Sequence, residues 1–569
     1  MNARPVLVSL LALLASSTAL ASSKPAAEGP PRIATLAIPG DKRLVRIARD
    51  IIAAKVALNP DLAASIGLFD DAVVVPSYTP AAVARQDKRF AKDLAGLDAL
   101  PWRTWAIDQQ IDVRWLKANA EDARHRLTVE RLWTHRYGEY LEPTADAFIS
   151  LTTYAPDRVD LRVRLAALVP AMLAEMLEQV TTPTARDLST GIGLLDGMRV
   201  AIEQLPAGPE RAGAEAAITD ARARLAAVDP STLPEFAVIG ADSYAWKLEH
   251  LLLLPWTPAQ LVQRATDELA VVQGQLDTMS LEEPLLPTEA EVARGAALDE
   301  AGFLDLYDGV VARNLAALRA MDVMTVPAAM PPMHARETPD ALVPLTGDGG
   351  SMNPPLAFGA HTDGWWNVEH YDPAWTPDQR TNLVVSAAHA EISGMGPYAV
   401  HEGVPGHHLQ LSLLRGMDPI HSILQDGSAV EGWALYAEQL FWDGGGFGPT
   451  DTAKAKMLRS YRGRIRRVFY DVNIESGTWT LQQAADWKTP PADGQHTEPD
   501  PDVLRSINWP TQLITYFAGK SQILALREEV RQKQGAAYSE RAFNDALLAE
   551  GPIPIALIRA KMLGLPVPE

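Results

Sequence analysis

The stretch HEGVPGHHLQ, residues 401–410, decides which fold class this chain is assigned to. Three of the twelve histidines of the chain, His401, His407 and His408, fall within it, and a glutamate directly follows the first. Zinc hydrolases commonly use two histidines one helical turn apart as ligands, with a glutamate beside the first that activates the metal's water. The stretch therefore predicts a metal site, although Pro405 occupies the position of the usual second histidine.

The spacing of the histidines requires a break in the helix. In a straight helix, His401 and His407 would lie about 240° apart around the axis, and His408 would lie about 10.5 Å along it from His401. Neither pair could then reach one ion at about 2.0–2.1 Å. Proline removes a backbone donor and glycine tolerates unusual dihedral angles, so Pro405-Gly406 can act as a two-residue insertion. We therefore favour His407 as the second ligand, with His408 pointing elsewhere.

A catalytic zinc site also needs a third histidine or carboxylate, and the best candidate is Glu431. It follows His401 by 30 residues (431 − 401), enough for a helix, a turn and a returning antiparallel helix. The surrounding segment, residues 430–438, is largely apolar, and a carboxylate on such a face is costly unless it is paired or bound to metal. Glu438, two turns further on, either orients a ligand histidine or is an ordinary exposed glutamate.

Two of these segments resemble a known bacterial family. HEGVPGHHLQ at 401–410 and EGWALYAE at 431–438 resemble the family catalogued as domain of unknown function 885, whose pattern is H-E-x-x-P-G-H-x-x-Q. The stretch PTQLITYFAGKSQILALR at 510–527 is similar to a further conserved segment of that family. The resemblance extends over most of the chain and is specific from about residue 390 to residue 530. It implies a mainly α, multi-helix, zincin-like metallopeptidase architecture with a zinc cofactor.

The resemblance also bears on individual residues. Tyr516 matches the family's tyrosine and is our candidate donor to the oxyanion, with a core or rim tyrosine as the alternative. Lys520, one turn later, is either an anion contact or a surface lysine. Relatives usually carry D-x-G-x-H where this chain has residues 471–475, so Asn473 replaces the glycine and Glu475 replaces a histidine that could contact substrate.

A basic run between residues 454 and 467 supplies a second candidate substrate contact. Its arginines are Arg459, Arg462, Arg464, Arg466 and Arg467. Guanidinium groups bind carboxylates in a bidentate manner, so this run could hold the terminal carboxylate of a substrate, as in a carboxypeptidase. The alternative is that these arginines form salt bridges with the acidic remainder of the protein.

Hydrophobic spacing predicts a mainly α protein with a small β element near the site. Apolar residues recur at spacings of three and four over 44–281, as in amphipathic helices. The segment 327–369 is rich in proline, glycine and aromatic residues and indicates irregular or hairpin structure, with residues 356–358 and 382–386 as possible strands. Helical patterns then return, over 397–415, 428–442, 452–475, 481–488 and 509–533. We divide the chain into a helical N-terminal region, 44–326, and a catalytic region, 327–569, although one continuous fold is an alternative.

The first residues have the features of a secretory signal. Arg4 precedes the apolar run 6–14, and Ala19-Leu20-Ala21 provides a cleavage site, so we expect a signal peptide over 1–21 and a linker over 22–43. The chain has no cysteine, which excludes disulfides, thiolate ligands and lipid attachment at a processed cysteine. We therefore expect a periplasmic or secreted protein without a stable membrane anchor. The net charge of −20 argues against nucleic acid as a partner.

Together these features predict an exported zinc peptidase acting on a peptide or small amide substrate. Zinc held by His401, His407 and Glu431 would lower the pKa of a bound water toward about 7. Glu402 would serve as the general base. A zinc amidase or esterase, or an exported binding protein that kept the fold without turnover, are the alternatives. A binding protein has no need for a base beside a ligand histidine, so Glu402 argues against the last of these. The sequence leaves the oligomeric state open.

Overall fold

Many helices begin at side chains that satisfy their first free backbone N–H groups. Four of them start with a capping box, in which a threonine and a residue three positions later exchange hydrogen bonds with each other's backbone. These pairs are Thr257 with Gln260, Thr288 with Glu291, Thr376 with Gln379, and Thr480 with Gln483. Because the local sequence specifies these starts, the surrounding helices have well-defined registers against the core.

The computed structural model describes residues 31–282, 285–340, 343, 349–360, 362–491 and 496–569. In this part of the chain 65% of the residues are helical and the β structure is one small sheet, which confirms the predicted mainly α fold class. The predicted signal peptide, 1–21, lies outside the described residues. No helix in the described ranges is both long and apolar enough to cross a membrane.

Up to residue 321, the regular structure of the described residues consists of helices. In chain order they are α1 Lys42–Val56, α2 Asp61–Ala64, α3 Pro80–Asp98, α4 Ile107–His125, α5 Gly138–Tyr154, α6 Val159–Ala166, α7 Val169–Gln179, α8 Ala185–Glu203, α9 Pro209–Ala226, α10 Ala241–His250, α11 Pro258–Asp277, α12 Glu289–Ala296 and α13 Glu300–Met321. Short 3₁₀ and π turns connect some of them. The predicted amphipathic helices over 44–281 are therefore present.

The rest of the chain forms three strands and then a second series of helices. The strands are β1 Met333–Glu337, β2 Ser351–Asn353 and β3 Gly364–Val368. The helices are α14 Pro377–Ala388, α15 Met395–Glu402, α16 His407–Ser412, α17 Pro419–Ile423, α18 Gly427–Asp443, α19 Asp451–Glu475, α20 Leu481–Lys488, α21 Pro501–Asn508, α22 Thr515–Gln534, α23 Glu540–Ala549 and α24 Ile555–Leu563.

The small sheet has the order β1-β3-β2, with β1 parallel and β2 antiparallel to the central strand. Neither of the two strands predicted from apolar runs is correct. Residues 356–358 have no regular structure, and residues 382–386 lie inside α14. The capping box at Thr376 and the proline at the first helical position favour a helix there, and these signals outweigh the short β-branched run.

Buried hydrogen bonds join the N-terminal helices to the C-terminal ones. The Trp115 indole on α4 donates to the carbonyl of Leu424 at 2.7 Å. His421 Nε2 on α17 lies 2.9 Å from Oδ1 of Asp112 on the same helix α4. The largest hydrophobic cluster runs from Ile33 to Val567 and so includes residues of the predicted linker. The division of the chain after residue 326 stays a prediction.

Candidate metal site

The chain between the two candidate histidines leaves the helical path completely. Helix α15 ends at Glu402 and α16 begins at His407, so the predicted break at Pro405-Gly406 is present and extends over residues 403–406. A Cβ atom on Gly406 would lie 2.0 Å from the carbonyl oxygen of His401, a distance that no side chain can adopt. Glycine at this position therefore lets the turn fold back onto the end of α15 and bring His407 close to His401.

His401, His407 and Glu431 form a compact cluster. Oε2 of Glu431 lies 3.4 Å from Nε2 of His401 and 3.3 Å from Nε2 of His407. One ligand atom from each residue lies within 4.8 Å of the others. Both histidines are buried, and Oε2 of Glu431 is buried without a hydrogen-bond partner among the described residues. Two imidazole nitrogens and one carboxylate oxygen are a donor set that suits a divalent transition metal.

Helix α18 holds each of the three candidate ligands in place. Glu431 belongs to this helix, and Glu438 two turns later lies with Oε1 2.9 Å from Nδ1 of His401. The indole of Trp433 donates to the carbonyl of Pro405 at 2.9 Å, which fixes the turn before His407. The amide of Gln410 on α16 donates to the carbonyl of Ala429 at 3.0 Å. The turn and both flanking helices are thus fastened to one helix.

A contact between two glycines brings α22 against α18. A Cβ on Gly432 would lie 2.5 Å from the backbone of Gly519, and a Cβ on Gly519 would lie 1.9 Å from the carbonyl oxygen of Ser428. The two backbones can approach this closely only because neither residue has a side chain. The contact places Tyr516, one turn before Gly519, beside the cluster, with its ring centroid 6.0 Å from that of His401.

The charges of the cluster are strongly coupled. Burial disfavours charge on Glu431, but His407 and His401 outweigh it and hold the pKa of this carboxyl well below its usual range. Burial likewise opposes the charge of His401, yet the adjacent carboxylates of Glu431 and Glu438 outweigh it and raise its pKa to about 9. Burial raises the pKa of the Glu402 carboxyl.

His408 points away from the cluster. Its Nε2 lies 2.8 Å from the carbonyl oxygen of Pro331, and a Cβ on Gly364 of β3 would lie 2.4 Å from its Nδ1. Burial lowers the pKa of His408 to about 4, so the ring is neutral and fastens the helix to the sheet region. The small sheet thus lies beside the cluster, in the position that the sequence suggested for it.

Arg467 and Lys520, two further residues named from the sequence, contact side chains outside the cluster of His401, His407 and Glu431. Arg467 makes a bidentate ion pair with Asp502, at 2.8 and 3.2 Å, and its guanidinium lies 4.7 Å from the centroid of the Tyr516 ring. Lys520 is buried with its ammonium 3.5 Å from the centroid of the Tyr461 ring, and burial lowers its pKa to about 8. It is therefore not a surface lysine.

Glu475 lies in a separate buried region near the end of α19. Its Oε2 accepts a hydrogen bond from the backbone N–H of Ile239 at 3.0 Å. Burial raises the pKa of Glu475 to about 7, and the nearby charges are those of Arg136, Glu130 and Lys247 from the N-terminal helices. The departure from the family pattern at this position thus concerns the packing of α19 on the segment before α10.

Sequence reasoning missed several polar residues around the cluster. Tyr398 precedes Glu402 by one turn of α15, a spacing that could have identified it. Ser460 of α19 lies with its hydroxyl 3.5 Å from Oε2 of Glu438, and Arg505 of α21 points a guanidinium nitrogen at the Tyr516 hydroxyl at 3.4 Å. Arg505 belongs to a part of the sequence without a recognisable motif, so only the packing of α21 reveals it.

The fold and the cluster define a mainly helical protein with a buried two-histidine, one-glutamate site. Residues 60–562 match the model of a family described as "Bacterial protein of unknown function (DUF885)". Because the match covers most of the chain, the protein belongs to this family.

Two solved structures share the fold. One, from Shewanella oneidensis, is described as "a putative lipoprotein of unknown function"; it has 19% sequence identity and a TM-score of 0.70, covering 91% of this chain and 99% of that one. The other, described as "the putative lipoprotein from Colwellia psychrerythraea", has 18% identity and a TM-score of 0.67, covering 92% of this chain and 99% of that one. No curated protein matches the chain.

Proposed function

We propose that this protein is an exported zinc-dependent hydrolase that cleaves peptide bonds. One observation carries the proposal: Nε2 of His401 and Nε2 of His407 both face the same carboxylate oxygen of Glu431, at 3.4 and 3.3 Å. Apart from these two contacts, that oxygen has no hydrogen-bond partner among the described residues, and the charge of a metal ion would satisfy it. Glu402, next to the first histidine, supplies the base that hydrolysis requires.

Each residue of the site has a defined task in this mechanism. His401, His407 and Glu431 would hold a zinc ion, which would supply the Lewis acidity that lowers the pKa of a water toward about 7 and polarises a carbonyl. Glu402 accepts the proton of the attacking water and passes it to the leaving amine. Tyr516 donates a hydrogen bond to the oxyanion of the tetrahedral intermediate. Glu438 holds the Nδ1 proton of His401, so that Nε2 keeps its lone pair.

The broken-helix arrangement makes the protein a variant of the zincin peptidases in this proposal. Zincins place their two ligand histidines on one helix. Here the inserted turn at Pro405-Gly406 keeps the two imidazoles close although they belong to different helices. The proposal of export rests on the signal-like N-terminus and is supported by the descriptions of both similar structures as lipoproteins.

Metal analysis and peptide hydrolysis test the proposal together. The purified wild type should contain close to one zinc ion per chain and should cleave members of a mixed peptide pool. Glu402→Gln should keep the metal and lose cleavage by about 100- to 10,000-fold, as expected for loss of a general base. Glu249→Gln, at an exposed position, is the matched control and should behave as the wild type.

Two results would contradict the proposal. One is wild-type protein without stoichiometric metal after preparation in zinc-containing buffer. The other is wild-type protein that binds metal but cleaves neither peptides nor simple amides and esters, which would favour a binding protein. Cleavage of amides or esters in the absence of any peptide cleavage would instead assign the chain to the amidases or esterases.

A further inference from the structure

The arginines of α19 differ in whether their charge is already used. Arg462 donates to the side chain of Gln273 at 2.9 Å. Arg466 donates to backbone carbonyls at the end of α20, and Arg467 is held by the carboxylate of Asp502. Arg459 is exposed to solvent. Arg467 therefore has a carboxylate partner, and Arg462 and Arg466 are held by neutral acceptors on other helices. Arg464 instead donates within its own helix, to the carbonyl and hydroxyl of Ser460.

Arg464 is half-buried and lacks an anionic partner within the described residues. Its Nη1 donates to the Ser460 hydroxyl at 2.7 Å, and its Nε is buried without a hydrogen-bond acceptor. Ser460 in turn lies 3.5 Å from Glu438, and Glu438 contacts His401. Arg464 is thus connected to a candidate metal ligand through two side chains. Burial of an arginine without its full set of acceptors is costly unless another molecule supplies them.

A second arginine approaches from α21. The Nη2 of Arg505 lies 3.4 Å from the Tyr516 hydroxyl, a long hydrogen bond, and its Nε is also buried without an acceptor. Its guanidinium lies 5.3 Å from the centroid of the Trp509 ring. Because Tyr516 packs beside His401, Arg505 is connected to His401 through the ring of Tyr516, whereas Arg464 is connected to it through Ser460 and Glu438.

Carboxylates act on these two arginines from a distance, Glu402 on Arg464 and Asp471 on Arg505, but neither arginine makes an ion pair among the described residues. The carboxylates of Glu402 and Glu431 would offset the charge of a bound divalent ion. Asp502 neutralises Arg467, and the charge of Glu438 acts on the buried ammonium of Lys520. Arg464 and Arg505 then remain as two cations near the cluster without a carboxylate in direct contact among the described residues.

We propose that Arg464, assisted by Arg505, binds a carboxylate of the substrate next to the metal. The inference rests on the proposed hydrolase function and specifies its substrate class. The carboxylate can belong to the free C-terminus of a peptide, which makes the enzyme a carboxypeptidase, or to an acidic side chain near the cleaved bond. A guanidinium with free N–H groups matches either group, because it donates two parallel hydrogen bonds to a carboxylate.

Three versions of one peptide distinguish these sources. The first has a free C-terminal acid and no acidic side chain, the second has the same sequence with a C-terminal amide, and the third is the amide with one glutamate near the cleaved bond. We expect kcat/KM for the acid to exceed that for the plain amide by about 10- to 100-fold, the usual effect of losing a charge-assisted contact. Preference for the third peptide over the second would instead identify an acidic side chain as the ligand.

Substitution of the arginine assigns the preference to its side chain. Arg464→Gln should reduce the ratio of acid to amide kcat/KM toward one, mainly by raising KM for the acid, and Arg464→Lys should recover part of it. Arg459→Gln, an exposed arginine on the same helix, is the matched control and should keep the wild-type ratio. A purely structural role would change the cleavage of all three peptides by the same factor and would leave the ratio intact.

The outcomes separate this inference from the proposed function. Equal cleavage of all three peptides by the wild type would overturn the carboxylate site and leave the hydrolase standing. An Arg464→Gln protein that keeps the full preference would overturn the assignment to this residue. Failure of the wild type to cleave any peptide would overturn the proposed function, and the inference with it.

Discussion

Oε1 of Glu438 lies 2.9 Å from Nδ1 of His401, while Nε2 of the same ring lies 3.4 Å from Glu431. A carboxylate accepts hydrogen bonds, so Nδ1 carries a proton, and the neutral form of the ring would present the lone pair of Nε2 to the centre of the cluster. The buried carboxylate of Glu438 thus fixes both the tautomer and the orientation of a candidate metal ligand.

Loss of that carboxylate should weaken metal binding. Glu438→Gln removes the negative charge that makes His401 a better ligand, and we expect the zinc affinity to fall by about 10- to 100-fold. Competition with a chromophoric chelator measures the change. Asp443→Asn, at the exposed end of the same helix, serves as control and should leave the affinity unchanged. Equal affinities for Glu438→Gln and the wild type would show that Glu438 has no influence on the metal.

The two adjacent histidines should differ sharply in their effect on metal content. His407→Ala removes a nitrogen that faces Glu431, so the folded protein should lose its zinc. His408→Ala removes a ring bound to the carbonyl of Pro331, so it should keep the metal and instead lower the melting temperature. The metal content of each variant is measured per chain, and circular dichroism checks that the variant is folded. The reverse pattern would assign the second ligand to His408.

The glycine contact between α18 and α22 should tolerate no side chain. Gly519→Ala would place a methyl group 1.9 Å from the carbonyl oxygen of Ser428, and we expect a loss of about 1–3 kcal/mol in unfolding free energy. Gly463→Ala is the matched control. It lies inside α19 with no atom within 4 Å of an added Cβ, and it should be neutral or stabilising by up to about 1 kcal/mol. Denaturant unfolding of both variants measures the difference, and equal stabilities would contradict it.

Two carboxyls with raised pKa values should make the folded state less stable as the pH rises, the reverse of the usual effect of a carboxylate. Asp61 and Asp146 line one cavity of about 300 Å³. Burial raises the pKa of Asp61 to about 6 and the pKa of Asp146 well above its ordinary value. A folded-state pKa above the unfolded value means that proton binding favours the folded state. This contribution is fully present below the unfolded pKa and is lost as the pH rises through the folded pKa.

Asp146→Asn should therefore stabilise the protein at neutral pH. The neutral amide avoids the cost of a buried charge, so the melting temperature should rise by roughly 1 °C or more at pH 7.5. The gain should disappear near pH 4, where the wild-type carboxyl is protonated. Asp443→Asn, exposed to solvent, should show no such pH-dependent gain. Thermal melts at both pH values test this, and a loss of stability at pH 7.5 would show that the carboxylate has a stabilising partner.

Local sequence signals accounted for the fold class and for the helices around the site. The pattern over 452–475 predicted α19 almost to the residue, and 481–488 matches α20, because capping threonines and helical spacing act over a few residues. Over 397–415 the spacing of the histidines predicted a break at Pro405-Gly406, but not its extent over residues 403–406. The length of the break there depends on how closely Gly406 can fold back onto His401, and this is a property of three-dimensional packing.

The surroundings of the site were less accessible to sequence reasoning. A basic run indicates that arginines are present on α19, but not which of them meets Asp502 and which lacks a carboxylate. That difference depends on where α21 lies relative to α19. Glu475 shows the same limit, because its partner Ile239 is 236 residues away in the sequence. The roles of His401, His407 and Glu431 stay predictions until metal is measured.

Helix α18 carries Glu431 and is also the attachment point for His401, for the turn at Pro405 and for α16. When this helix shifts as a rigid body, all three candidate ligands shift in common, and the distances between them hardly change. Only motion of one ligand relative to the others would distort the coordination geometry, and the hydrogen bonds to α18 oppose it. The site is therefore expected to keep its shape even while the surrounding helices fluctuate with temperature or with substrate entry.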